Sequence, residues 1–446
     1  MYPSLALFTD FYELTMAQAY FEEGMNEEAV FSLFVRRLPP QRNFLLACGL
    51  ETVLGYLETL RFEDDDLAYL ASLDKFSEPF LTHLRDFRFS GSVYAMREGT
   101  PVFDDEPILE IVAPLPQAQL LETLVMNQIQ LQTMLASKAQ RVVTAAAGRA
   151  VIDFGARRMH GIDAAVKAAR AFHIAGVAAT SNVLAGKEYG LRVTGTMAHS
   201  YVEAHDDEAA AFHAFAQQYP GTVLLVDTYD TLAGVRKVIE LAHRLGDGFQ
   251  VSAVRLDSGD LLTLAKEARA LLDAAGLGKV GIFASGGLDE YQVAQLVASG
   301  APIAGFGVGT AMGVSDDAPD LDIVYKLVEY GGKARLKLST GKPVLPGRKQ
   351  VFRMTENGRA VRDVIGRASE DLPGQPLLVP VMRNGERLPA GHVSLQAARD
   401  HAREQLASLP EHVRAIAPAE PPYAVEVSER LGRLQKRIAE EVRGSG

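Results

Sequence analysis

The sequence predicts an α/β protein: an irregular (β/α) barrel with an additional α+β domain built from N-terminal and C-terminal segments. Three observations predict it. Between residues 146 and 330, apolar β-rich runs alternate with segments of helical composition. The polar residues of that stretch gather just after the apolar runs. The flanking regions, 1–145 and 331–446, mix helix and alternating strand without the same beat. The 446 residues fit two or three domains and can bury a large core.

The N-terminal region opens with Thr9-Asp10-Phe11-Tyr12-Glu13-Leu14-Thr15, an amphipathic helix start that Asp10 is placed to cap. Residues 30–35 alternate and read as a strand. Residues 49–60 read as a helix, with Leu50, Val53, Leu54 and Leu57 on one face. Short strands follow at 92–96, 100–103 and 108–112, separated by acidic and Gly/Pro turns. Pro114 and Pro116 break the chain. A long helix then runs from near 117 to about 135, and residues 136–148 continue it or form a second helix.

In the central region, strands are expected to begin near Val151, Val177, Val193, Val223, Val251, Val280, Ile303 and Leu321, with helices at 161–173, 231–245 and 261–274. Near-continuous apolar strands alternating with helices imply a parallel sheet, and about eight such units imply a barrel or an irregular relative. Arg157, Arg158, His160, Thr180, Ser181, Asn182, His199, Asp227, Thr228, Asp257 and Asp260 all follow strands. Barrel enzymes build their sites at that end of the sheet. The third region carries β-like stretches at 333–338 and 347–353, a helix at 395–407 and a charged tail. It is expected to pack back on the first region.

Apolar residues at 48% and charged residues at 23% are ordinary for a globular chain, and the net charge of −11 argues against a nucleic-acid or anionic-membrane binder. A local basic pocket stays possible. No run of about 18 apolar residues occurs, so no membrane span is expected. No basic stretch leading into an apolar one opens the chain. Cys48 is the only cysteine and sits in an apolar run, which favours buried packing and excludes an intrachain disulfide. These features read as a cytoplasmic protein.

Five motifs carry chemistry. Ser285-Gly286-Gly287 and Gly307-Val308-Gly309-Thr310 end strands with glycines and a hydroxyl, a pattern that lets backbone N–H groups approach phosphate. Two plain Gly-rich turns are the alternative. In Arg255-Leu256-Asp257, alternation puts Arg255 and Asp257 on one side of the strand. An arginine can clamp phosphate, and a carboxylate can hold sugar hydroxyls or Mg²⁺-bound water. The alternative is a structural ion pair. Phe154-Gly155-Ala156-Arg157-Arg158 joins an aromatic face to guanidinium groups, as a flat anionic ring requires, unless Phe154 is simply core. Gly195-Thr196-Met197-Ala198-His199-Ser200 follows a short apolar run at 191–193. His199 is open to metal, base, nucleophile or structural roles. No second His or Cys stands at ligand spacing, which counts against metal. A neutral imidazole near phosphates can attack phosphorus.

Taken in order, the Thr9–Thr15 segment, Phe154 to Arg158, Thr180-Ser181-Asn182-Val183, Gly195 to Ser200, Arg255 to Asp260, Ala284 to Leu288 and Gly305 to Thr310 resemble the nicotinate phosphoribosyltransferase family. These are type II phosphoribosyltransferases that begin NAD salvage. The likeness runs from about residue 8 to about 353. It implies transfer from phosphoribosyl diphosphate to nicotinate, giving nicotinate mononucleotide and diphosphate, with coupled ATP hydrolysis. His199 matches the histidine that ATP phosphorylates. Mg²⁺ would accompany diphosphate and ATP, and its protein ligands stay unassigned.

By the same resemblance, Phe154 and Tyr12 sandwich the pyridine ring, with Tyr12 supplied by a second subunit of a homodimer. Arg157 meets the carboxylate, and Asp257 and Arg255 hold the ribose. Thr180, Asn182 and Ser200 join the substrate-binding set. Gly286, Gly287, Gly307, Gly309 and Thr310 cradle the 5′-phosphate, and Arg37 reaches phosphates across the dimer. Related nicotinamide-specific enzymes carry an aspartate where this chain has Asn182, so the acid is favoured. Quinolinate phosphoribosyl transfer is a weaker match, because it needs more cationic side chains than residues 154–160 supply. A phosphate-binding barrel isomerase or oxidoreductase, or a non-catalytic nucleotide binder, would share the glycine turns but leave Tyr12 and His199 without a role.

Overall fold

A computed structural model describes residues 5–338 and 344–444. The chain forms two compact units, one from residues 1–137 with 320–446 and one from residues 138–319. The divisions expected at 145 and 330 thus fall earlier. The C-terminal part of the Glu122–Ala145 helix belongs to the second unit, and the strand expected near Leu321 belongs to the first.

The first unit is α+β. Its seven-stranded sheet runs in the order Lys333–Ala334, Ile323–Tyr330, Glu28–Val35, Pro107–Pro114, Ser92–Ala95, Val379–Arg383 and Glu386–Arg387. Glu28–Val35 lies between Ile323–Tyr330 and Pro107–Pro114, antiparallel to both, and is buried from Ala29 onward. That pairing corrects the expected eighth barrel strand. Its apolar run is the same, but its partner is nearly 300 residues away in sequence, which local pattern cannot reveal. A four-stranded sheet of Gln375–Pro376, Lys349–Glu356, Arg359–Arg367 and Ala424–Val427 completes the unit's main β structure.

The helix expected from 117 is two helices, Leu115–Gln119 and Glu122–Ala145, and the second absorbs most of 136–148. Thr133 and Ser137 on that helix bond the backbone at Cys48 and Leu46, and Cys48 is buried. Asp10 precedes the Phe11–Glu22 helix but makes no side-chain cap; its Oδ2 accepts instead from Thr123 Oγ1 at 2.7 Å. The charged tail contains a helix, Glu429–Gly444, which buries Leu431, Leu434 and Ile438.

Parallel strands build the second unit, in the order Ala179–Thr180, Ala150–Asp153, Gly305–Val308, Gly281–Ala284, Ala253–Leu256 and Val223–Leu225. The expected strand at Val193 is only a bridge to Thr180. The six strands form a curled, partial barrel with helices between them. Helices Thr231–Leu245 and Leu261–Ala274 start where Asp230 and Asp260 accept from the Ala233 and Thr263 amides.

One charge network stabilises the first unit from within. Arg353 is 1% exposed and gives two nitrogens to Asp363, at 2.6 and 3.0 Å, and one bond to Pro101 O. Tyr423 donates to the same carboxylate. Burial, then the neighbouring Asp363, pushes the Glu106 carboxyl well above its ordinary range. Arg353→Met strands Asp363 and should cost about 3–5 kcal/mol in urea unfolding. A raised folded-state pKa means Glu106 contributes stability below the ordinary carboxylate range, lost as pH rises through the raised value. The melting temperature should therefore fall along that limb, and Glu106→Gln should flatten the fall.

Candidate active site

The site assembles where five parallel strands of the second unit end. Phe154 directly follows Ala150–Asp153, and its amide donates to Val308 O at 2.9 Å. A Cβ on Gly307 would lie 2.5 Å from the Phe154 ring. Glycine is therefore required at 307 to seat that ring. Gly307 lies inside the Gly305–Val308 strand and is buried, so it floors the ring rather than forming an open phosphate loop. Gly309 and Thr310 form the turn beyond it, and Thr310 begins the short Thr310–Val314 helix.

Arg255 belongs to Ala253–Leu256, and its guanidinium lies 5.7 Å from the centre of the Phe154 ring. Its Nη2 donates to Met197 O at 3.4 Å, while its Nε is buried without a hydrogen-bond partner. Burial lowers the Arg255 pKa, Asp257 and Asp227 oppose the shift, and nearby Arg157 adds to it. An arginine keeps its charge through such a shift. Arg157 itself is exposed on the Ala156–Arg158 turn. Two guanidiniums and one aromatic face therefore share this edge of the sheet.

Asp257 is the first residue past its strand. Its Oδ1 accepts from Ser285 Oγ at 2.5 Å, and its amide donates to Asp227 Oδ2 at 3.0 Å. Ser258 Oγ donates to the same Asp227 oxygen. A Cβ on Gly286 would sit 1.7 Å from the Asp257 carbonyl oxygen, so only glycine permits this approach; its φ of +92° is also left-handed. Gly287 has φ +67° and open space around it, and both glycines are exposed.

His199 stands at the start of the His199–Glu203 helix rather than at a strand end. Its Nδ1 is 3.2 Å from Thr228 Oγ1, and its Nε2 is 3.9 Å from Asp257 Oδ2, beyond hydrogen-bond reach. The ring is held at one nitrogen and open at the other. Ser200, next in the helix, is exposed. Asp227, Thr228 and Ser285 complete this constellation. Ser285 is read from sequence as the hydroxyl of a glycine turn, whereas Asp227 and Thr228 stand out only as polar residues after a strand.

Two expected substrate contacts, Thr180 and Asn182, also carry structural hydrogen bonds. Thr180 is buried, donates to Asp153 Oδ2 at 2.6 Å and accepts from the Asn182 amide at 3.0 Å. Asn182 caps the Val183–Tyr189 helix through Oδ1, and its Nδ2 donates to Ala165 O at 3.2 Å. Both ends of the Asn182 side chain are thus engaged. Asp153 also accepts from the Gly155 amide, which fixes the turn that carries Phe154. Tyr12 and Arg37 belong to the other unit. Tyr12 is 45% exposed, and burial, then Glu122 and Glu13, raises its phenol pKa. The Arg37 side chain is 85% exposed, with Asp322 at 3.8 Å.

Among the described residues, no group of three or more His, Cys, Asp or Glu side chains has the placement of a metal site. No helix among them is long and apolar enough to cross a membrane.

Three family models match the chain: the nicotinate phosphoribosyltransferase N-terminal domain over residues 7–130, the nicotinate phosphoribosyltransferase family over 150–355 and its C-terminal domain over 374–435. A nicotinate phosphoribosyltransferase of Mycobacterium tuberculosis is 56% identical over 426 residues, covering 96% of this chain and 92% of its own length. The chain belongs to the nicotinate phosphoribosyltransferase family. The nicotinate phosphoribosyltransferase of Bacillus subtilis is 43% identical over 79% of this chain and 73% of its own. The crystal structure of human nicotinic acid phosphoribosyltransferase superposes with a TM-score of 0.86 at 29% identity, covering 96% of this chain and 99% of that one. A nicotinate-nucleotide pyrophosphorylase from Pyrococcus furiosus gives 0.74 at 27% identity, over 90% and 95%.

Family membership and the local geometry agree on the irregular barrel as the scaffold of the site. Substitutions separate its glycines. Gly287→Ala should cost about 1–2 kcal/mol for its left-handed backbone alone, whereas Gly286→Ala should cost more because it displaces the Asp257 peptide; urea unfolding of the two variants checks the order. Asn182→Asp keeps the cap but loses the donor to Ala165, so a stability loss of about 1–3 kcal/mol is expected in the same measurement.

Proposed function

We propose that this protein transfers the phosphoribosyl group from phosphoribosyl diphosphate to nicotinate, forming nicotinate mononucleotide and diphosphate, and that His199 couples the transfer to ATP hydrolysis. One observation carries the reading. In a chain of this family, Phe154, Arg255, Asp257 and His199 converge at one edge of a parallel sheet, with His199 Nε2 facing Asp257 Oδ2 at 3.9 Å.

The ring nitrogen of nicotinate attacks C1 of the ribose as the bond from C1 to the diphosphate oxygen breaks. Phe154 offers a stacking face, and Arg157 with Arg255 supplies positive charge for the carboxylate and the ribose side. That pair of cations favours the acid over the neutral amide. Asp257, fixed by Ser285 and Asp227, accepts from ribose hydroxyls. Gly286, Gly287, Gly309 and Thr310 offer the exposed turns for the 5′-phosphate. Asp257 would hold the water shell of a Mg²⁺ ion carried by diphosphate or ATP, an ion that would neutralise their charge.

ATP coupling follows from the histidine. In the tautomer with its proton on Nδ1, His199 donates to Thr228 Oγ1 and presents the lone pair of Nε2 for attack on the γ-phosphorus of ATP. The bond to the bridging oxygen breaks, ADP leaves, and the phosphorylated His199 later yields phosphate to water. Tyr12 and Arg37, both exposed on the other unit, suit contribution from the second copy of a homodimer.

Purified protein with nicotinate, phosphoribosyl diphosphate and Mg²⁺ should form mononucleotide, faster with ATP. Its absence in both conditions would refute the transfer. His199→Ala should lose both the ATP stimulation and the acid-labile phosphate on the protein. Thr228→Val should lower phosphate incorporation by roughly 10–100-fold, the range of a lost positioning contact.

A further inference from the structure

Lys138 is a buried lysine that the reaction does not use. Its ammonium is 1% exposed and contacts three carboxylates: Glu290 at 2.7 Å, Asp317 at 2.8 Å and Asp316 at 3.1 Å. One helical turn along, Arg141 Nε donates to the other Glu290 oxygen at 2.8 Å, and its Nη2 to Tyr291 OH at 2.9 Å. Burial opposes the lysine's charge, yet Asp317 and Glu290 raise its pKa above the ordinary lysine value. The same cations hold the Glu290 carboxyl below its usual range against its own burial.

The carboxylates come from two separate segments, and each segment leads directly from a glycine turn of the site. Glu290 is three positions after Gly287, with only Leu288 and the capping Asp289 between them. Asp316 and Asp317 follow the five-residue Thr310–Val314 helix, which ends at Ser315 in the left-handed conformation. A helix that short has little rigidity of its own. Its far end is held instead by the lysine and by Ser315 Oγ, which donates to Ala318 O at 2.8 Å. One buried cation therefore fixes the positions of both turns relative to a single point on the Glu122–Ala145 helix.

We propose that Lys138 is a positioning residue that holds the Gly286-Gly287 turn and the Gly309-Thr310 turn at the separation needed to grip one phosphoribosyl diphosphate molecule. This rests on the phosphoribosyl-transfer reading, because the two turns are taken to receive its phosphate oxygens. A purely stabilising lysine would alter the melting temperature and leave the balance between the two substrates untouched. A positioning lysine acts selectively on the phosphorylated one.

Two variants test it. Asp316→Asn combined with Asp317→Asn loosens one side of the clamp at groups that are partly exposed, so the fold should survive. Lys138→Met combined with Glu290→Gln removes the cation together with the most buried anion. Both should raise the KM for phosphoribosyl diphosphate by roughly tenfold or more while that for nicotinate moves less than about twofold. Both should also weaken the thermal stabilisation given by inorganic phosphate, which probes the turns taken to receive the 5′-phosphate. Unchanged phosphoribosyl diphosphate KM, or equal rises for both substrates, would overturn the proposal in a folded variant. If wild-type protein forms no mononucleotide, the functional reading fails instead. The inorganic phosphate measurement then still decides the clamp, since retained stabilisation in the Asn variant would reject it.

Discussion

Asp257 ties the site together through four separate constraints. Ser285 holds one carboxylate oxygen, Asp227 holds the amide, Gly286 leaves room for the carbonyl, and the second carboxylate oxygen faces His199. Ser285 and Gly286 come from the turn after Gly281–Ala284, Asp227 from the loop after Val223–Leu225, and His199 from the start of its helix. Strand ends are where backbone groups leave the ladder and side chains can converge, which is why a parallel sheet suits this purpose. Loss of one strand's register would break more than one of these contacts. The carboxylate therefore reports the geometry of the sheet as a whole.

Two kinds of glycine follow from that arrangement. Gly286 and Gly307 are required by what lies against them, the Asp257 carbonyl and the Phe154 ring. Gly287 and Gly309 are less crowded, and their exposed or half-exposed backbone can meet a ligand. Sequence pattern alone places all four in phosphate turns, because it sees the residue type and not the neighbour. Asn182 shows the same limit. As a residue beside Ser181 it reads as a specificity determinant, yet its amide spans a helix cap and the Ala165 carbonyl.

The helices Thr231–Leu245 and Leu261–Ala274 have the boundaries read from sequence, since an aspartate caps each and the apolar spacing is local. The barrel strands around Phe154 and Asp257 were legible for a similar reason: short apolar runs followed by polar residues. What failed depended on distant pairing. Ile323–Tyr330 has the composition of a barrel strand but pairs with Glu28–Val35, and 191–193 contributes only a bridge. The Glu429–Gly444 helix was hidden by its charge, although Leu431, Leu434 and Ile438 recur at helical spacing. His199 was found through its motif, whereas its partner Thr228 required the fold.

The 3.9 Å between His199 and Asp257 also constrains how ATP can be coupled. Under the proposed reaction, a phosphoryl group on Nε2 would bring new negative charge beside a carboxylate. At about 4 Å each pair of unit charges repels by about 1 kcal/mol in water and about 4 kcal/mol at an effective dielectric of 20. Asp257 is partly exposed, so the lower end applies to the open site and the upper end to a closed one. A divalent cation carried by diphosphate would reverse the sign of that interaction. Phosphorylation and occupancy by the Mg²⁺-bound substrate would then favour each other, and by linkage the preference is mutual. Coupling of this kind needs no large movement. It requires only that His199 and Asp257 share one electrostatic neighbourhood, which Thr228 and Ser285 secure by holding one side chain each.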